Sequence, residues 1–97
     1  MVILNQERGT GKTCTLIELS ARNNVPIATP YDTKYIQNKA EELKLKIPNP
    51  IKINSLEDLN DIEKVYIDDI DGLIKKLFPC DVQLISMSTG DKIETIL

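Results

Sequence analysis

Two clusters in this chain, Gly11-Lys12-Thr13 and Asp68-Asp69, have the residue types and the order to do chemistry together. Glycines let backbone N–H groups close around phosphate oxygens, and a helix opening directly after them adds a partial positive charge. In that setting Lys12 is expected to reach the β- and γ-phosphates, and the Thr13 hydroxyl to hold Mg²⁺. Gly9, Thr10, Gly11, Lys12, Thr13 and Cys14 are the expected cradle for a nucleotide, with ATP and Mg²⁺ as cofactors. The full pattern, G-x-x-x-x-G-K followed by Ser or Thr, wants a glycine five positions before Gly11, where Gln6 stands. The plain alternative is a glycine-rich connection in an ordinary α/β domain.

The run Val65-Tyr66-Ile67 ends in Asp68-Asp69. An apolar strand that delivers a carboxylate into a site is what a Mg²⁺ ion needs, so Asp68 is the expected partner of Thr13 on the metal. Asp69 is the expected catalytic group that orients or deprotonates a water. The competing reading is that the two aspartates start a loop and cap the next helix.

The elements that must position these residues follow from hydrophobic pattern. Val2-Ile3-Leu4 reads as a strand leading into the loop, and Leu16, Ile17 and Leu19 suit a helix after it. Val25 to Thr29 reads as a short strand ended by Pro30. Asp32 or Thr33 can cap a helix running to about Leu45, with Ile36, Ala40 and Leu43 on one face. Ile51-Lys52-Ile53 is a minimal strand, and Ser55 with Asp58 resembles an N-cap. Lys64 to Ile67 is a further strand. Leu73, Ile74, Leu77 and Phe78 make a compact amphipathic turn or two ended by Pro79, and Val82 to Ser88 reads as a last strand. Apolar Ile93, Ile96 and Leu97 are expected to pack back.

Strands alternating with helices of this length predict βαβ units, an α/β three-layer sandwich with a small, mainly parallel sheet, and one domain over residues 1–97. Ligands of such sheets bind beyond the carboxyl ends of the strands. Residues 8–13, 29–32, 68–71 and 86–90 are all expected at those ends, so four polar clusters should converge on one edge.

Composition sets outer limits. Hydrophobic residues make up 41% and charged residues 28%, ordinary for a globular protein. No apolar run approaches the ~20 residues that cross a bilayer, and the start lacks the basic and apolar regions of a signal peptide, so a cytoplasmic chain without membrane contact is expected. Two cysteines without metal-ligand spacing and no histidine exclude a zinc site or a histidine-based triad. A net charge of −3 gives no bulk attraction to nucleic acid, although Lys34, Lys39, Lys44, Lys46 and Lys52 could form a local basic patch or a solvated face. Tyr31 and Tyr35 could stack a base or pack; Cys14 could carry an activated thiol or be a small packed residue.

Together, Arg8-Gly9-Thr10-Gly11-Lys12-Thr13 and Val65-Tyr66-Ile67-Asp68-Asp69 resemble the Walker A and Walker B elements of P-loop ATPases that carry an extra strand between the two. That group contains helicases, RecA-like ATPases and phage terminase motors. Thr29-Pro30 resembles helicase motif Ia, and residues 85–90 stand where a motif III or sensor strand would be. The loop is most similar to terminase large subunits and related phage ATPases, which implies a P-loop (RecA-like) core. The resemblance implies that Arg8 acts in cis on the γ-phosphate and that Ser88 or Thr89 joins Asp69 in orienting water. The chain departs from the group at Asp69, where glutamate is usual, and in having Arg22 as its sole other arginine.

Two functions are expected from different classes. One is a minimal ATPase, slow alone and activated by a partner or by self-association. The other is a non-catalytic regulator of phage or mobile-element origin that keeps the scaffold and docks on a larger protein.

Overall fold

A computed structural model describes residues 2–4, 11–86 and 94–96. In chain order its elements are β1 (Val2–Leu4), α1 (Lys12–Asn23), β2 (Ile27–Thr29), α2 (Lys34–Glu42), β3 (Ile51–Lys52), a 3₁₀ turn (Leu56–Leu59), β4 (Tyr66–Ile67), α3 (Ile70–Leu77) and β5 (Glu94–Ile96). The fold is α/β, built on a small open sheet of three parallel strands in the order β3-β2-β4. β1 pairs in parallel with β5 in a separate two-stranded sheet.

Alternation along β2 explains the layering, because successive strand residues point to opposite faces. Ile27 is fully buried with Ile17 of α1 and with Ile36 and Ala40 of α2, and Tyr66 of β4 packs against the same cluster. Its neighbour Ala28 is buried on the other face with Ile53 and with Leu73 of α3, joined by Ile51, Val65 and Leu77. The Ala28↔Ile51 and Ile27↔Tyr66 register agrees with this division. Helices therefore cover both faces, as βαβ connections require.

Local signals set the element ends. Gly11, at φ 85°, leads into α1, and Asn24, at φ 55°, ends it in the left-handed conformation that asparagine tolerates. The buried Ser20 Oγ donates to the Val25 carbonyl at 2.6 Å, turning the chain into β2. α2 closes earlier than the expected Leu45. Lys44 takes a left-handed φ of 57°, and the Lys44 and Leu45 N–H groups donate back to the Glu41 and Ala40 carbonyls. This is the Schellman arrangement, here without its usual glycine.

Two strands are shorter than their β-rich sequences predict: Val25 and Pro26 precede β2, and Lys64 and Val65 precede β4. A larger correction concerns the expected strand from Val82 to Ser88. Residues 82–86 form no helix or strand, and Leu84 and Ile85 stand 89% and 57% exposed. A β-prone run becomes a strand only where an edge pairs with it. Met87 and Ser88 lie outside the described residues. Among the described residues no helix is long and apolar enough to cross a membrane.

Candidate functional site

The parallel register turns the carboxyl ends of β2, β3 and β4 the same way, so the residues just past these strands share one edge. Thr29 ends β2, Ile53 and Asn54 come after β3, and Asp68 and Asp69 come after β4. Backbone bonds draw these ends together: Asp68 N–H donates to the Ala28 carbonyl at 2.9 Å and Ile53 N–H to the Thr29 carbonyl at 2.8 Å. Lys76 of α3 spans them, its Nζ donating to the Pro30 carbonyl at 2.8 Å and to Asn54 Oδ1 at 2.9 Å.

α1 arrives from the opposite direction. Its last residue, Asn23, donates to the Tyr66 hydroxyl at the start of β4 (2.9 Å), while Ile17 packs beside Ile27. The helix thus runs antiparallel to β2 and β4, and its N-terminus, Lys12-Thr13-Cys14, points toward the edge that carries Asp68 and Asp69. The residue that enters α1, Gly11, has no side chain to cap it, and no acid lies in the first turn. Among the described residues the opening N–H groups have no carboxylate of their own, a condition that attracts an anion. Lys12, Thr13 and Cys14 are half-buried, and Cys14 is a free thiol.

The carboxylate side is organised by two tyrosines. Tyr35 of α2 donates to Asp68 Oδ2 at 2.5 Å and sits 2.7 Å from the hydroxyl of Thr29, which is fully buried. Burial and the donation to Asp68 both raise the Tyr35 phenol well above its ordinary value, so it stays a protonated donor. Tyr31 donates to Asp69 Oδ2 at 2.6 Å. Asp69 takes a left-handed φ of 60° and accepts from Gly72 N–H at 3.2 Å through Oδ1, capping α3. The helix-capping alternative for this pair of aspartates therefore holds for Asp69. A Cβ at Gly72 would collide with the Tyr31 hydroxyl, so this glycine inside a helix makes room for the tyrosine.

Of the residues expected to do chemistry, Gly11, Lys12, Thr13, Cys14, Asp68 and Asp69 lie within the described residues, and Arg8, Gly9, Thr10, Ser88 and Thr89 lie outside them. Tyr31 and Tyr35 were expected to stack a base or to pack; both instead hold carboxylates. The bonds span 38 and 33 positions, so nothing local announces them. The available signal was a pair of hydroxyls four apart, just past a strand's carboxyl end.

Thr13 Oγ1 and Asp68 Oδ1 are hard oxygens of the kind Mg²⁺ takes, and Oδ1 has no hydrogen bond among the described residues. No group of three or more acidic, histidine or cysteine side chains gathers among the described residues. No family model, no curated protein and no solved structure matches the chain.

Proposed function

We propose that this chain is a minimal P-loop domain that binds ATP with Mg²⁺ at the N-terminus of α1. One observation carries the reading: the order β3-β2-β4 sets Thr29 and Asp68 side by side, on the edge toward which the glycine-entered start of α1 also points.

In this reading Lys12 neutralises the terminal phosphates while Thr13 and Asp68 supply oxygens to Mg²⁺. The ion offsets the charge on the phosphates, and the chain's own groups fix where they lie. Asp69 is already engaged as the cap of α3 and as the acceptor for Tyr31. That favours binding with slow turnover that a partner or second copy accelerates, since an arginine supplied in trans contributes roughly 10³ to 10⁵ in rate. A second reading, a regulator that docks on a larger protein, is favoured by exposed Phe78, Leu84 and Ile85.

Calorimetric titration with ATP and GTP, with and without Mg²⁺, tests the reading on wild type and Lys12→Ala. Binding that depends on Mg²⁺ and disappears in the variant is expected. Binding unaltered by Lys12→Ala overturns the loop assignment, and no binding at millimolar nucleotide leaves the regulator.

A further inference from the structure

Thr29, Tyr35 and Asp68 form a chain of hydrogen bonds whose direction is fixed by donor count. An ionised carboxylate only accepts, so the single phenolic hydrogen of Tyr35 goes to Asp68 Oδ2. Thr29 Oγ1 must then donate to the Tyr35 oxygen, and its own lone pair accepts from Tyr31 N–H at 3.3 Å. Each donor is used once, in the order Tyr31 N–H, Thr29, Tyr35, Asp68. The series begins on a threonine with no exposed surface, in the strand beside β4. It ends by holding Asp68 through Oδ2, and among the described residues Oδ1 carries no hydrogen bond.

We propose that Tyr35, oriented by Thr29, is the positioning residue for Asp68, and that it fixes the carboxylate so that Oδ1 is presented to Mg²⁺. The inference rests on the nucleotide-binding reading above and adds the residue that tunes its metal. Hydrogen-bonded partners of metal-ligating groups lower metal affinity about 10- to 100-fold when removed. Tyr35→Phe deletes one oxygen and keeps the ring. Thr29→Val breaks the series one step earlier, and Thr29→Ser keeps the hydroxyl.

The test is calorimetric titration of ATP in Mg²⁺ and in EDTA, together with thermal melting of every variant. Tyr35→Phe is expected to reduce the Mg²⁺ enhancement of ATP affinity by roughly 10- to 100-fold with EDTA binding unchanged. Thr29→Val should reduce it in the same direction, and Thr29→Ser should restore it. A purely structural tyrosine would lower the melting temperature and leave the Mg²⁺ enhancement at its wild-type value, which overturns the proposal; if Tyr35→Phe does not fold, the same result in Thr29→Val overturns it. A wild type without Mg²⁺ enhancement, or an Asp68→Asn variant that keeps it, overturns the metal-site reading and the proposal with it. An intact enhancement in Tyr35→Phe beside a lost one in Asp68→Asn overturns the proposal alone.

Discussion

The starts of α1 and α3 resemble each other in backbone and differ in chemistry. Each is entered through a left-handed residue, Gly11 at φ 85° and Asp69 at φ 60°. At α3 the entering residue turns its own carboxylate onto Gly72 N–H, with Asp71 in the first turn. At α1 the entering residue has no side chain, and the next residue is Lys12. The remaining helical starts resemble α3: Asp32 Oδ1 accepts from Lys34 N–H at 2.9 Å, and Asp58 Oδ2 accepts from Asn54 and Ser55 N–H ahead of the 3₁₀ turn. Among the described residues three helical starts thus receive an aspartate, while the first residue of α1 is a lysine.

Lys12→Ala breaks that contrast most severely. Two charge-assisted contacts to phosphate, each about 1.5–3 kcal/mol, correspond to a loss of roughly a hundredfold or more in ATP affinity. The melting temperature should not move, because a half-buried lysine at a helix start supports no core cluster. Calorimetry and a thermal melt on the same sample check both halves. On the closed side, Asp69→Ala removes the cap and puts a β-carbon without a compensating bond at positive φ, costing about 1–2 kcal/mol. For a domain of this size each kcal/mol is about 4–8 °C in Tm. Asp69→Gly should cost less than Asp69→Ala because glycine accepts that φ. Equal losses in the two variants would remove backbone conformation from the account.

How legible this was in the sequence differs element by element. Ile36 and Ala40 were readable as the buried face of α2, and Ser55 with Asp58 as a helix start, because those signals lie within one or two turns. Asp68 and Thr29 were readable as strand-end residues on one edge for the same reason. Pairing is not local, and that is where expectation failed. Val82-Gln83-Leu84-Ile85-Ser86 has strand composition, yet it forms no strand, while β5 appears in a tail expected only to pack back. Nor does composition reveal which hydroxyl meets which carboxylate, so Tyr31 and Tyr35 were visible as aromatic residues and not as donors.

Gly72→Ala is a smaller perturbation that presses on the contact between Tyr31 and the capping carboxylate. Alanine favours the helix by about 1 kcal/mol, while its Cβ displaces the Tyr31 hydroxyl from Asp69 and forfeits a hydrogen bond of about the same worth. Stability should therefore change by less than about 1 kcal/mol, with the tyrosine absorbance shifted to that of a solvated phenol. A large destabilisation would mean that the close approach, and not the helix, governs the start of α3.

The smallest effect is expected at Asp58, a cap that is wholly exposed. Backbone donation from Asn54 and then Ser55, with a lesser contribution from Lys76, holds its carboxyl below its ordinary value of 3.8. A carboxyl whose value falls on folding stabilises the folded state above its unfolded value, and that stabilisation is lost as pH falls through the lowered one. Asp58→Asn should therefore lower Tm slightly at neutral pH and change stability little in acid, where the wild type has already lost that contribution, so the acid limb flattens, as thermal melts across pH would read out. Asp69 sits on the same kind of helix start but shares its carboxylate with Tyr31, so Asp69→Asn should lower Tm at neutral pH by more. If the two variants behave alike, closing a helix start is all that either aspartate does, and the tyrosine adds nothing at α3.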